Sequence, residues 1–310
     1  MDTLVRTQSN PVLRKLMDDF QQQRPIRSGS LIVSVFGDAI SQHGNSVWLS
    51  SLIKALSPFG LDSRLVRTAA FRLVQDDWLY SERVGRCSYY SLTETGLLHF
   101  EAAAKRIYAP EPVSWDGKWT LVFPTLVETG ERDQLVKELS WLGYANFGGG
   151  ILGYPGNDRV SLDKSLRALK MQDKVAIMTA RSEEVASSKS LQALMRECWN
   201  IDELGQRYSE FIERFSPVTS AVATALTPEE SFQVRTLLIH EYRRILLKHT
   251  DLPEGTLPKN WAGHIAHEMT ANIYRAVHKK AKTFLRTEMK TVDGYLKEVI
   301  PSYYQRFGGL

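Results

Sequence analysis

Apolar residues along the first third of the chain fall first into stripes of helical spacing and then into two short alternating runs. Leu31–Ile40 (LIVSVFGDAI) is almost continuously apolar and predicts a buried helix. The polar stretch Ser41–Asn45 follows as a loop. Across Trp48–Phe59, Trp48, Leu49, Leu52, Ile53 and Leu56 make a second helical stripe, which Pro58 and Gly60 break. Ser63 reads as the N-cap of a third helix that buries Leu65, Ala69 and Leu73. Its opposite face carries Arg64, Arg67, Thr68, Phe71, Arg72 and Gln75. Beyond Trp78 the runs Leu79–Val84 and Cys87–Leu92 read as strands joined by Gly85-Arg86, a hairpin with a basic tip. Thr93–Ile107 predicts a helix returning across that hairpin.

Tyr108-Ala109-Pro110-Glu111-Pro112 is a stiff linker, because two prolines two residues apart disfavour helix. Beyond it the pattern alternates: strand Lys118–Phe123, helix Glu131–Leu142, strands Tyr144–Phe147 and Ile151–Tyr154, helix Ser161–Met171, strand Lys174–Thr179. That β-α-β-β-α-β order is the split, ferredoxin-like arrangement. The run Gly148-Gly149-Gly150 invites a phosphate-cradle reading. It lacks a following P-loop lysine or helix N-terminus, so a hairpin turn accounts for it better. From Ser187 the chain is helical: Leu191–Trp199, Ile201–Phe215, Glu229–His249 and Trp261–Phe284, the third opened by the capping box Thr227-Pro228-Glu229-Glu230.

Four segments follow: an arm or short leading helix over 1–27, a winged module over 28–107, a ferredoxin-like domain over 113–185 and a helical domain over 187–310. A length of 310 residues fits two or three cores, and 43% hydrophobic residues suffices for globular folding. No apolar run approaches a membrane span, and Arg14, Lys15, Asp18 and Asp19 interrupt the N-terminus too early for a signal segment. With Cys87 and Cys198 alone there is no disulfide framework, so a cytoplasmic protein is expected. A net charge of +4 permits a polyanionic partner without requiring one.

Three helices with a short Gly-containing turn before the third, then a hairpin, is the winged helix-turn-helix pattern. The third helix would enter the major groove of DNA, and the wing tip would reach phosphate or the minor groove. A solvated charged helix face beside an ordinary hairpin gives the same pattern. Phe71 on the outer face either touches a thymine methyl or, as the expectation favours, packs under the wing. Near the other end, residues 240–290 hold ten Lys or Arg against five Asp or Glu and five of the seven histidines, a place to bind a phosphate-bearing ligand.

Short blocks along the chain resemble the PaaX family, the bacterial repressors of phenylacetic acid degradation. They include Phe36-Gly37-Asp38, Val66-Arg67-Thr68-Ala69 with Phe71-Arg72-Leu73, and Gly85-Arg86 with Tyr90-Ser91-Leu92. Later blocks are Trp115-Asp116-Gly117-Lys118-Trp119, Glu197-Cys198-Trp199, Tyr242-Arg243-Arg244, Trp261-Ala262-Gly263-His264 and Tyr304–Leu310. The resemblance runs from about residue 28 to the C-terminus. It implies a homodimeric repressor on a partly palindromic DNA operator, released by phenylacetyl-coenzyme A or a related aryl-coenzyme A. It also implies an α+β chain with an N-terminal winged helix-turn-helix, a Cas2-like (ferredoxin-like) middle and a helical C-terminal domain. The recognition helix falls on Val66–Leu73, so Arg64, Arg67, Thr68, Arg72 and Gln75 are expected at the operator, with Arg83 and Arg86 on the wing. A thioester of coenzyme A needs cations for its phosphates and an apolar pocket for its aryl group. His240, Tyr242, Arg243, Arg244, Lys248, Trp261 and His264 are the expected effector contacts.

No catalytic residue, metal or cofactor is expected. Two enzyme readings stand beside this one. A Cas2-like nuclease would want a carboxylate at the end of its first strand, but that strand ends Val122-Phe123-Pro124-Thr125 and Asp116 precedes it. A metal or thioester-acting site would use the histidine-rich C-terminal helices, where His264 and His267 share a face at i, i+3 but a third ligand is missing.

Overall fold

The computed structural model describes residues 10–23, 26–110, 115–182, 189–222, 226–247, 252, 257–258 and 260–310. The chain forms two units: Met1–Glu101, Ile212–Tyr242 and His267–Leu310 make the first, and Ala102–Phe211 with Arg243–Ala266 the second. The helical region expected as one domain over 187–310 therefore contributes to both. Of the expected 108–112 linker, residues 111 and 112 lie outside the described residues, as do 183–188.

In the first unit, α1 (Pro11–Gln22) is capped by Asn10, whose side chain accepts from the Val12 N–H at 3.0 Å. It buries Leu13, Leu16, Met17 and Phe20, one helical stripe inside the segment expected to be an arm or a short leading helix. Helix α2 (Ser28–Asp38) ends two residues before the expected limit, and a 3-10 turn over Ile40–His43 continues it. Gly37 is required where it stands: a Cβ there would lie 2.2 Å from the Phe100 ring.

Trp48, expected to start a helix, instead ends strand β1 (Ser46–Trp48). The Asn45 side chain explains the change. It donates to the Leu92 carbonyl at 3.1 Å and accepts from the Leu92 N–H at 3.2 Å, extending a strand ladder as a backbone amide would. After α3 (Leu49–Leu56) and α4 (Ser63–Gln75) come β2 (Leu79–Val84) and β3 (Cys87–Leu92), at the predicted bounds. The antiparallel sheet has order β1-β3-β2. Helix α5 (Glu94–Ile107) starts where Thr93 Oγ1 accepts from the Gly96 N–H at 2.9 Å. It stacks His99 on Trp78 at the base of the hairpin, with centroids 5.1 Å apart.

The second unit holds β4 (Lys118–Phe123), α6 (Thr129–Trp141), β5 (Ala145–Asn146), β6 (Leu152–Tyr154), α7 (Arg159–Ala168) and β7 (Ala176–Arg181). Its antiparallel sheet has order β5-β6-β4-β7, the ferredoxin-like order, and Val122, Leu135, Leu139, Leu152, Leu162 and Leu166 fill its core. Gly148, Gly149 and Gly150 all take positive φ, and the Phe147 N–H donates to the Ile151 carbonyl at 2.8 Å. The glycines make a hairpin turn.

Four helices follow: α8 (Lys189–Trp199), α9 (Ile201–Ala221), α10 (Pro228–Leu246) and α11 (Ala262–Glu288). Helix α9 runs six residues past its expected end, carrying Pro217 within it. The Thr227–Glu230 capping box forms as predicted: Glu230 N–H donates to Thr227 Oγ1 at 3.2 Å and Thr227 N–H to Glu230 Oε2 at 2.9 Å. A two-stranded hairpin, β8 (Lys290–Thr291) and β9 (Gly294–Tyr295), and a 3-10 stretch over Pro301–Gly308 complete the chain. Within the first unit an aromatic chain, Phe20–Phe59–Phe232–Phe284, runs from α1 to α11 with centroid spacings of 6.2, 6.4 and 4.8 Å. The N-terminal helices and the C-terminal ones thus share one core.

Candidate nucleic-acid interface

Helix α4 is set by its ends. Its N-cap is Asp62 rather than the expected Ser63: Asp62 Oδ1 accepts from the Leu65 N–H at 2.8 Å. The turn before it is a 3-10 stretch over Ser57–Phe59 closed by Gly60 at φ +78°, a conformation that favours glycine. Gln21 on α1 holds this turn, its Nε2 donating to the Pro58 carbonyl at 2.8 Å.

The buried stripe of α4 is Val66, Ala69, Ala70 and Leu73. Leu65, expected in that stripe, is 45% exposed. The spacing i, i+4, i+8 from Leu65 and the spacing i, i+3, i+4, i+7 from Val66 share Ala69 and Leu73; the fully buried Val66 and Ala70 belong to the second alone. Arg64, Arg67, Thr68, Arg72 and Gln75 are all exposed on the opposite face, as the sequence requires. Phe71 lies among them at 60% exposure, so it does not pack under the wing.

The wing is tight. Val84 pairs with Cys87, leaving Gly85-Arg86 as a two-residue turn with φ +61° at Gly85, the position where a type II′ turn wants glycine. Arg86 is exposed at the tip, and Arg83 folds back so that Nε donates to the Gly85 carbonyl at 3.3 Å. Arg67 Nε donates to Ser63 Oγ at 3.2 Å. Among the described residues, none of the five guanidiniums pairs with a carboxylate. Two of the acidic residues nearby are occupied off this face: Asp62 caps the helix and Asp77 Oδ2 accepts from Thr95 Oγ1 at 2.7 Å. Cations left without carboxylate partners, around an exposed aromatic ring and two amide or hydroxyl groups, match phosphate oxygens and base edges together.

The residues expected around the effector are distributed differently. His240 and Tyr242 belong to the first unit and are buried. His240 Nδ1 meets Ser34 Oγ at 2.9 Å and its ring packs edge-on against Phe20; the Tyr242 hydroxyl meets His267 Nδ1 at 3.0 Å. Arg243, Arg244, Trp261 and His264 belong to the second unit. Trp261 is buried edge-on against Tyr208 and fills the space left by Gly205 and Gly263. Arg243 and Arg244 are half-buried, and burial pulls the Arg243 guanidinium down to about 10, leaving it a cation at neutral pH. His264 is exposed, and Lys248 lies outside the described residues.

For the two enzyme readings the geometry offers little. Asp116 accepts from the Lys118 N–H and pairs with its ammonium at 3.1 Å. Among the described residues no three His, Cys, Asp or Glu side chains gather as metal ligands. No helix among them is long and apolar enough to cross a membrane.

A three-helix module with an exposed basic helix face, its described arginines in no ion pair, and a basic hairpin tip, set on an α+β chain, defines a candidate DNA-binding regulator. The comparisons with known proteins agree in family. Three family models match in series: PaaX-like protein over residues 27–96, PaaX protein central Cas2-like domain over 112–192, and PaaX-like protein C-terminal domain over 199–287. The Transcriptional repressor PaaX of Escherichia coli (strain K12) is 37% identical over 289 residues, 92% of each chain. The protein belongs to the PaaX family. Among solved structures, Uncharacterized protein Rv0674 from Mycobacterium tuberculosis is 21% identical, with a TM-score of 0.49 over 81% of this chain and 95% of that one.

Proposed function

We propose that the protein is a DNA-binding transcriptional repressor of phenylacetic acid catabolism genes, released from its operator by phenylacetyl-coenzyme A. The observation that carries the reading is the outer face of α4, where Arg64, Thr68, Phe71, Arg72 and Gln75 stand exposed beside an arginine-tipped hairpin. The family membership and the repressor that is 37% identical support it. In this reading residues 28–107 act as a winged helix-turn-helix, with α4 in the major groove and Arg86 on the backbone. The active species is a homodimer whose two α4 helices read half-sites about 34–36 Å apart. The protein acts in the cytoplasm, without catalysis. The thioester binds more tightly to a state whose helices no longer match that spacing, and a coupling of about 3 kcal/mol weakens the operator complex more than a hundredfold. Of the expected effector contacts, His240, Tyr242 and Trp261 serve packing, which leaves Arg243, Arg244 and His264 for the phosphates.

Fluorescence anisotropy of a labelled phenylacetate-pathway promoter duplex tests this, run with and without the thioester. Release by phenylacetyl-coenzyme A but not by free phenylacetate is the expected result. Promoter binding that ignores the thioester would remove the effector from the account while leaving the repressor.

A further inference from the structure

The second unit contains a cavity of about 190 Å³ that the expected effector contacts do not use. Its walls come from the last turns of α5, the end of α6, β6 and the start of α7. An apolar cavity of roughly 150 Å³ is enough to hold a benzene ring. This one is therefore sized for a single ring and a few further atoms.

Its chemistry is specific. The rings of Tyr144 and Tyr154 stack, with centroids 5.1 Å apart and planes 29° apart, and both line the cavity together with Trp141. Tyr144 is 5% exposed, and its buried hydroxyl has no hydrogen-bond partner among the described residues. Thr120, its neighbour, sends its own hydroxyl to the Gly156 carbonyl at 2.7 Å. Burial holds the Tyr144 proton in place, so the hydroxyl keeps a proton to donate. Lys105 and Arg106 also line the cavity; Arg106 is positioned by one arm donating to the Leu246 carbonyl at 2.9 Å. On the α7 side Asp158 accepts from both the N–H and the hydroxyl of Ser161, at 3.1 and 2.6 Å, so an anionic ligand would direct its charge toward Lys105 and Arg106 instead.

We propose that this cavity receives the ring of an aryl-acyl group, with the acyl oxygen accepting from Tyr144 and an anionic remainder running past Lys105 and Arg106. The inference rests on the reading of an aryl-coenzyme A effector, and it moves the recognition of the aryl group away from Trp261 and into this cavity. Offset and edge-on contacts with the tyrosine pair and Trp141 would select a flat ring over an alkyl chain.

The test is isothermal titration of the full chain with phenylacetyl-coenzyme A and, separately, acetyl-coenzyme A. Two variants are compared with the wild type: Ala103→Phe, which fills the cavity, and Tyr144→Phe, which removes only the hydroxyl. Tyr144→Phe removes only a hydroxyl beside Thr120 and keeps the stacked ring, so the fold is retained. Expected are saturable binding of phenylacetyl-coenzyme A, binding of acetyl-coenzyme A at least tenfold weaker, and a loss of about fivefold to tenfold for Tyr144→Phe, the effect of one hydrogen bond. Ala103→Phe should lose more, because Ala103 lines the cavity. If both variants bind the thioester as the wild type does, or acetyl-coenzyme A binds equally well, the cavity is not the site although the effector reading stands. If the wild type binds no phenylacetyl-coenzyme A, the effector reading fails and the cavity proposal falls with it.

Discussion

Arg235 on α10 donates its Nε to Asp38 Oδ2 at 2.7 Å, with neither side chain more than 4% exposed. Arg306 joins them from the C-terminal 3-10 stretch, its Nη1 2.8 Å from Asp38 Oδ1, and the Tyr274 hydroxyl donates to the same oxygen at 3.0 Å. Two guanidiniums thus share one carboxylate, with the rings of Tyr274 and Tyr303 under the surplus charge: Arg235 lies 5.0 Å from the first centroid and Arg306 4.9 Å from the second. The cluster fastens the end of α2, on which α4 packs, to helices more than 190 residues away in sequence.

Removing the carboxylate charge leaves two buried cations uncompensated. Asp38→Asn is expected to cost about 3–5 kcal/mol, a large part of a typical domain's stability of about 5–15 kcal/mol. Urea denaturation of the variant checks this. A loss below about 1 kcal/mol would mean the cluster is solvated or dispensable.

Acid should weaken the same unit. His278 is buried, and burial, with Arg235 and two lysines near it, pulls its imidazole down to about 4. A group with a lowered folded value binds fewer protons folded than unfolded. Its contribution is present above the unfolded value near 6.5 and is lost as pH falls from there toward 4. Thermal melts from pH 7 to pH 4 should fall less steeply for His278→Gln than for the wild type; parallel slopes would remove His278 from the acid response.

Much of this architecture was legible because its signals are local. The wing bounds follow from two alternating runs around Gly85-Arg86, and the α10 start from the Thr227–Glu230 box. The signals that failed depend on distant residues. Nothing within 36–40 reveals that Asp38 faces Arg235 and Arg306, although a lone carboxylate ending the apolar run LIVSVFGD is a hint of a buried partner. Strand β1 was missed because three residues carry no period, and Asn45 makes them a strand only through Leu92. At the candidate site the basic face is visible in the sequence, but Leu65 reads as buried because apolar character alone does not choose between two overlapping stripes, and nothing local says that Phe71, on the outer face, is left uncovered by the wing. Tyr144 gave no signal, since an unpartnered hydroxyl exists only in three dimensions.

At the wing tip, Arg86 is predicted to contact phosphate only. Arg86→Ala should weaken binding to promoter and random duplexes alike and reduce the slope of log K against log salt by about 0.9. A change confined to one base position in the promoter would contradict this.

Phe71 is predicted to read a thymine methyl. Replacing thymines by uracils across the promoter half-site should weaken wild-type binding, and Phe71→Ala should bind the two duplexes equally. If the wild type does not distinguish them, Phe71 makes no such contact.

The central claim, that the outer face of α4 reads DNA sequence, is tested most directly by the ratio of random-duplex to promoter Kd at one salt concentration. The ratio is measured for the wild type and for the double variant Arg64→Ala/Arg72→Ala. The account predicts a wild-type ratio of about a thousand or more. It should fall by about thirtyfold or more in the variant, each base-reading arginine being worth about 1–3 kcal/mol, with the melting temperature unchanged because both side chains are exposed. A wild-type ratio near one, or a ratio that the double variant leaves unchanged, would contradict it.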